Sequence, residues 1–218
     1  IWFALTFWAY LETKSVIATS VVGGAYMLML AASGMYFGTF VDRHRRKTSM
    51  LVSSVASLIA YTLAGALYLA TPAENFRDLT RLEFWGFTVL VLAGAIAGNL
   101  RTIALSTSVT LLVPDDQHDR ANGLVGTVNG ISFALTSVFS GLAIGLLGMG
   151  WSLLITLALT GLALAHLVTI TIPEAAPAPH TGSATAFDLR GALTAVRAVP
   201  GLLTILYFST FNNLLGGV

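Results

Sequence analysis

Gly38-Thr39-Phe40-Val41-Asp42-Arg43-His44-Arg45-Arg46-Lys47 is a short basic knot between two long apolar runs. Upstream, Ser15 to Val41 carries no Asp, Glu, Lys or Arg, and downstream neither does Thr48 to Ala73. Each run is long enough to cross a bilayer as a helix, which takes about 20 apolar residues. The knot is too short for a domain and too charged for hydrocarbon, so it reads as a tight loop at a membrane face. It holds four of the chain's eleven Lys and Arg residues. The positive-inside rule makes that face cytoplasmic, and every other segment is oriented from it.

The composition agrees. Of 218 residues, 56% are hydrophobic and 10% charged, whereas a soluble domain carries about 25% charged residues. The class is an all-α polytopic membrane protein. The net charge of +1 carries no information, because the positions of charges set topology. A basic cluster of five residues is too small for a nucleic-acid interface. With no cysteine there is no disulfide frame, thiolate metal site or catalytic thiol.

In order, Ile1 to Tyr10 reads as the tail of a first helix, with Trp2, Trp8 and Tyr10 in an interfacial belt or on a cavity wall. The first residue is Ile, and the chain ends within an apolar run from Pro200 to Val218. These ends read as a fragment cut in its first and seventh helices. Glu12 and Lys14 lie in a solvated outer turn. The second span carries Gly34 and Gly38 on one face, a spacing that admits a close neighbour. The third span, from Thr48, ends at Thr71-Pro72, because proline cannot continue a helix. Residues 72–83 form a solvated, partly helical outer loop of alternating charge. A fourth span from Phe84 to Val113 contains Gly94, Gly98, Asn99 and Arg101 and stops at Pro114-Asp115-Asp116.

Ala121 to Ile172 is too long for one helix and suits two, joined at Gly148-Met149-Gly150 beside Trp151. Gly126, Gly130, Gly141 and Gly145 give the fifth span the composition of a helix packed inside a bundle. A Pro- and Ala-rich linker follows. Leu189, Ala192, Leu193 and Val196 then mark a short amphipathic surface helix, and Pro200 opens the seventh span. This divides the chain into a six-helix bundle (1–172), a cytoplasmic linker with its surface helix (173–198) and the start of a second bundle (199–218). The cytoplasmic side then holds Arg43, Arg45, Arg46, Lys47, Arg120, Arg190 and Arg197. The outer side holds Lys14, Arg77 and Arg81, an asymmetry of the expected sign.

The knot resembles the signature loop of the major facilitator superfamily between its second and third helices. That pattern is Gly, three residues, Asp, a basic residue, any residue, Gly, and two basic residues. Gly38, Asp42, Arg43, Arg46 and Lys47 match it, and Arg45 stands in the second Gly position. Leu112-Val-Pro-Asp-Asp-Gln-His-Asp-Arg120-Ala-Asn-Gly123 is similar to a segment of the branch containing macrolide-efflux and siderophore-exporter proteins. Asp188-Leu-Arg-Gly-Ala with Val199-Pro-Gly resembles that branch's central loop. The resemblance implies a major-facilitator-type helical bundle, here from the end of helix 1 to the start of helix 7 of an expected twelve. It implies two pseudo-symmetric halves with a substrate site near the midplane between them. Two features depart from the family. The fifth span has no Gly-Pro pair, reading Ser137-Val-Phe-Ser-Gly141. Of the fourth-helix proton-coupling motif only Arg101 is kept.

Several residues then carry alternative readings. Arg101 sits within a membrane span, at a cost of at least about 2.5–3.5 kcal/mol. Either it lines the central cavity with Asn99, on a substrate or proton pathway, or it snorkels towards the outer surface. Asp42 and Arg46 suit a gate latch, Asp42 meeting the positive end of a facing helix and Arg46 reaching Asp115 or Asp116. The alternative is a plain topogenic cluster. His166 reads as a buried, hydrogen-bonded core residue or a proton carrier. His118 and Asp119 have too few companions for a metal site.

The expected function is a secondary transporter of small amphiphilic or drug-like molecules, exporting by alternating access. The alternatives are an integral-membrane enzyme, for which no polar catalytic cluster stands out, and a non-transporting scaffold or receptor. No cofactor is expected, and ion coupling, by protons or otherwise, is left open. The expected partners are a small-molecule substrate and membrane lipid, without nucleic acid. The complete protein is expected to be a monomer in the plasma or inner membrane, with the signature loop cytoplasmic.

Overall fold

Helices account for nearly all of the computed structural model, which describes residues 1–174 and 189–216, and no strand occurs among the described residues. The order is α1 (Trp2–Thr13), α2 (Val16–Arg43), α3 (Arg46–Ala70), α4 (Leu82–Leu112), α5 (His118–Thr169), α6 (Leu189–Ala198) and α7 (Leu202–Gly216). Four stretches are long and apolar enough to span a membrane, of 28, 25, 28 and 55 residues. The last, Asp115–Thr169, contains all of α5, which is broken at Gly148, whose φ of 82° and ψ of 178° are not helical. Only glycine adopts that conformation without strain. The arms of α5, 118–147 and 149–169, are therefore the fifth and sixth spans. The chain is an all-α membrane bundle.

Two units divide the chain, Ile1–Ala178 and Pro179–Val218. In the second unit α6 and α7 follow one another across Gly201, with φ 83°. The seventh helix thus starts at Leu202, two residues after Pro200. Residues 175–188, which hold most of the expected linker and Asp188, lie outside the described residues.

Within the first unit, local chemistry sets the boundaries. Ser15 caps α2 by accepting the Ala18 N–H (3.2 Å). Lys14, at φ 53°, reverses the chain after α1. Pro72 and Pro114 follow the ends of α3 and α4.

The tightest packing joins α3 to α4. Ser49, Ser53, Ser57 and Tyr61 recur every four residues on one face of α3, and all are buried. Ser53 donates to Ala97 O (2.6 Å) and Ser57 to Gly94 O (2.8 Å). Small hydroxyl side chains let the backbones approach and hydrogen-bond across the seam, the usual means of helix association where lipid removes the hydrophobic drive. A Cβ on Gly94 would lie 2.4 Å from the Tyr61 ring, so only glycine fits there without a shift. On Gly98 it would make an ordinary 3.6 Å contact with Ser57.

At the end holding the α1–α2 turn, Trp8 is 3% exposed. It stands among Phe76, Phe84 and Phe87, with ring centroids 5.5, 5.9 and 4.9 Å away. Trp8 is thus a core residue rather than part of an interfacial belt, and it also lines a small cavity with Glu12, Tyr68 and Phe76. The loop above it forms a 3-10 turn at Ala73–Phe76 and drives Phe76 into the same cluster. Arg77 pairs with Glu12 at 3.2 Å, so Glu12 is tied down rather than merely solvated.

Three other packing expectations do not hold. Gly34 and Gly38 would meet no atom within 4 Å if given a Cβ, and neither would Gly126, Gly130, Gly141 or Gly145. The first arm of α5 is mostly exposed, because no helix of this unit lies against its glycine row. His166 is exposed on the second arm rather than buried.

Candidate functional site

The basic knot folds as a two-residue helix-to-helix turn, as short as the α1–α2 turn. α2 continues through Arg43 and α3 starts at Arg46, leaving His44 and Arg45 as the whole connection. His44 stacks on Phe40, with centroids 4.1 Å apart, and donates its backbone N–H to Phe40 O (3.1 Å). Arg45 has φ −59° and ψ 138°, an extended conformation open to any L residue. The turn therefore needs no glycine, which accounts for Arg45 in the position where the resembling pattern has Gly.

Arg45 gives α3 no side-chain cap. The first N–H groups of a helix lack internal partners and carry its positive dipole end. Here Glu174, just beyond α5, supplies the missing acceptor. Its carboxylate takes the Arg46 N–H at 2.6 Å and the Lys47 N–H at 3.1 Å. Lys47 returns the contact, its Nζ donating to Val168 O (3.0 Å) and to Ile170 O at the unsatisfied C-terminal end of α5. A carboxylate at one helix start and an ammonium at another helix end make a reciprocal clasp. It puts the knot and the end of the sixth span at one face, opposite the Glu12–Arg77 pair.

Arg46 turns the other way. Its Nη1 donates to Val41 O and its Nη2 lies 3.9 Å from Asp42 Oδ1. Its side chain is 17% exposed against 67% for Asp42. Arg46 thus caps carbonyls at the negative end of α2. Asp42 occupies that same end, where a carboxylate opposes the dipole of its own helix. Arg43 is exposed beside it, and Gly38 is one turn back within α2. Asp115 and Asp116 are exposed in a 3-10 turn after α4. Asp115 lies 3.8 Å from His118 Nε2. The expected Arg46 pairing with Asp115 or Asp116 is not formed. Among the described residues Arg46 pairs with Asp42 alone.

Arg101 and Asn99 lie on α4, both half-buried. At about 1.5 Å per residue, Arg101 is about 28 Å along the helix from Leu82 and about 17 Å from Leu112. Its backbone N–H donates to Ser53 Oγ (3.1 Å), about 10 Å of helix from the start of α3. Arg101 therefore lies nearer the end that holds the knot than the end that holds the Glu12–Arg77 pair. Its guanidinium makes no ion pair or hydrogen bond among the described residues.

Two contributors escape a sequence reading. Glu174 falls in what looks like a linker. Its one signal is that it is the first charged residue after the uncharged run from Ala121 to Ile172. The serine row of α3 is the other, and its one signal is the four-residue spacing of Ser49, Ser53 and Ser57. Among the described residues no cluster of three or more His, Asp or Glu could hold a metal ion.

No curated protein and no solved structure matches the chain. The family model of the Major Facilitator Superfamily matches residues 1–217. That match, with spans of the right length and the knot turned between the second and third helices, sets the family. Its members are multi-pass secondary transporters rather than enzymes. The chain belongs to the Major Facilitator Superfamily.

Proposed function

We propose that this chain contributes the first half of an exporter of small amphiphilic or drug-like molecules that works by alternating access. In this reading the protein sits in the plasma or inner membrane as a monomer with the knot cytoplasmic. Its place is in the branch similar to macrolide-efflux and siderophore-exporter proteins, which the Leu112–Gly123 segment favours. The domain division is a six-helix bundle over 1–172, a cytoplasmic linker over 173–198 and a second bundle opening at 199.

One observation carries the reading. Asp42 is an exposed carboxylate at the wrong end of its own helix, and among the described residues a 3.9 Å contact to Arg46 is its ion pair. Such a residue lowers the stability of its own helix, and the start of a facing helix is the partner that suits it. Gly38, Asp42, Arg43, Arg46 and Lys47 act as the gate segment. When Asp42 turns to the second half, Asp115 or Asp116 receives the released Arg46. Arg101 and Asn99 line the path of substrate or proton, since a half-buried guanidinium without a partner is poised for an anionic one.

The test is Asp42→Asn in the full-length protein. Efflux of a fluorescent amphiphile is expected to fall at least fivefold, with insertion and orientation unchanged. Inverted insertion would favour a merely topogenic knot. An Arg101→Ala variant that exports like wild type would remove Arg101 from the pathway.

A further inference from the structure

The second arm of α5 packs along α3 from the clasp at the knot to the Gly148 break at the other end of the bundle. Near that break a groove of about 300 Å³ opens between the two helices. Gly150 lies against the Tyr68 ring, where a Cβ would stand 3.3 Å away, so the helices touch there. One turn along α3, a Cβ on Gly65 would meet nothing within 4 Å, and the gap opens. Leu69, Trp151 and Leu154 form an exposed rim. The wall holds no charged side chain, and α3 and the second arm supply all of it.

The groove lies within two membrane spans, at the last turns of α3 and the first turns of the second arm. An apolar gap of this kind stays dry. A helix, about 10 Å wide with its side chains, is too thick to enter it. The open faces suited to another helix lie elsewhere, at Gly34 and Gly38 of α2 and along the glycine row of the first arm of α5. An acyl chain is thin and flexible enough, and from Trp151 to Leu157 the second arm offers it about 9 Å of length.

Trp151 adds a polar handle. It is the third residue of the second arm, at the membrane edge, where an indole keeps its ring in the apolar layer and its N–H among polar groups. Trp85, at the start of α4, spends its Nε1 hydrogen on Leu79 O (2.9 Å). Trp151 Nε1 makes no hydrogen bond among the described residues. The acceptor that a chain seated in the groove brings to this level is its own ester carbonyl.

We propose that this groove binds one acyl chain of an ester-linked glycerolipid from the leaflet opposite the knot, with the ester carbonyl accepting the Trp151 indole N–H. With no charge in the wall, the lipid headgroup is not selected. The site requires only the membrane spans and does not rest on the exporter reading.

The experiment uses the full-length protein in dodecyl maltoside micelles and a phosphatidylcholine carrying a diazirine in one ester-linked chain. After irradiation, adducts mapped by peptide mass spectrometry are expected within residues 65–69 and 150–157. Unlabelled diester phosphatidylcholine should compete about two- to tenfold better than the diether lipid with the same chains and headgroup, the worth of one hydrogen bond. Diester phosphatidylglycerol should compete as well as diester phosphatidylcholine. Trp151→Phe should keep the labelling and lose the preference for the ester. Gly65→Leu should fill the groove and cut labelling there about fivefold or more. Adducts spread evenly along the spans, equal competition by the diether, or an ester preference that survives in Trp151→Phe would each overturn the proposal. Absence of adducts from both segments would overturn it as well, and would mark another part of the protein or a second copy as the occupant. The competition arm uses the wild-type protein, so a misfolded variant leaves the test intact.

Discussion

Replacing Glu174 with Ala should loosen the start of α3 selectively. The carboxylate accepts two backbone N–H groups, from Arg46 and Lys47, at a helix that has no cap of its own. Loss of a helix cap costs about 0.5–2 kcal/mol. Removing a negative charge from the N-terminal dipole adds about 0.3–1 kcal/mol. Glu174 is only half-buried, so screening keeps the sum near the lower range, about 1–2 kcal/mol. That corresponds to roughly 5- to 30-fold faster opening of the first turn. Hydrogen exchange of the full-length protein in nanodiscs, followed on peptides covering residues 45–50, reads this directly. Glu174→Gln keeps an acceptor but not the charge, and should give about half the effect. Lys47→Met should instead loosen the end of α5 around Val168 and Ile170, where Nζ binds the carbonyls. Wild-type exchange at Arg46 and Lys47 in Glu174→Ala would refute the clasp.

Further outcomes follow from the α3–α4 seam and the loop that joins these two helices. Gly94→Ala places a Cβ against the Tyr61 ring and should lower stability by about 1–3 kcal/mol. Gly98→Ala, with an ordinary contact, should stay within about 0.5 kcal/mol. Thermal unfolding in detergent that ranks the two equally would contradict the packing. Ser53→Ala and Ser57→Ala each remove one interhelical hydrogen bond and should cost about 0.6 kcal/mol each by SDS unfolding. In the α3–α4 loop, the hydroxyl and N–H of Thr80 hold the Asp78 carboxyl below its ordinary value of 3.8, with Arg81 adding to the effect. A depressed carboxyl contributes stability above its unfolded pKa and loses it as pH falls through the folded value. A carboxyl NMR titration should therefore give an Asp78 midpoint below 3.8, rising in Thr80→Val; an unchanged midpoint in the variant would sink the assignment.

Span number, the bend at Gly148 and the stops at Pro72 and Pro114 are legible in the sequence, because charge, glycine and proline act locally. What is not legible depends on distant partners. Trp8 carries the same local signal whether it faces headgroups or a ring of phenylalanines, and only the folded loop at Phe76 decides. Glycine spacing permits close approach without supplying a neighbour, so Gly94 is filled by Tyr61 while Gly126 and Gly130 face none. The knot was legible as a loop, but its cap was not, since Glu174 lies 128 positions from Arg46. Arg101 could be placed in the membrane by sequence. Its depth comes only from the hydrogen bond to Ser53, which ties it to the first turns of α3, beside the knot.

The most direct test of an exporter gated at the knot is dye accumulation in everted membrane vesicles containing the full-length protein. Energised wild-type vesicles should take up Hoechst 33342 above empty vesicles. Asp42→Asn vesicles with equal protein and equal orientation should take up at least fivefold less. Equal uptake by Asp42→Asn and wild type would contradict the account.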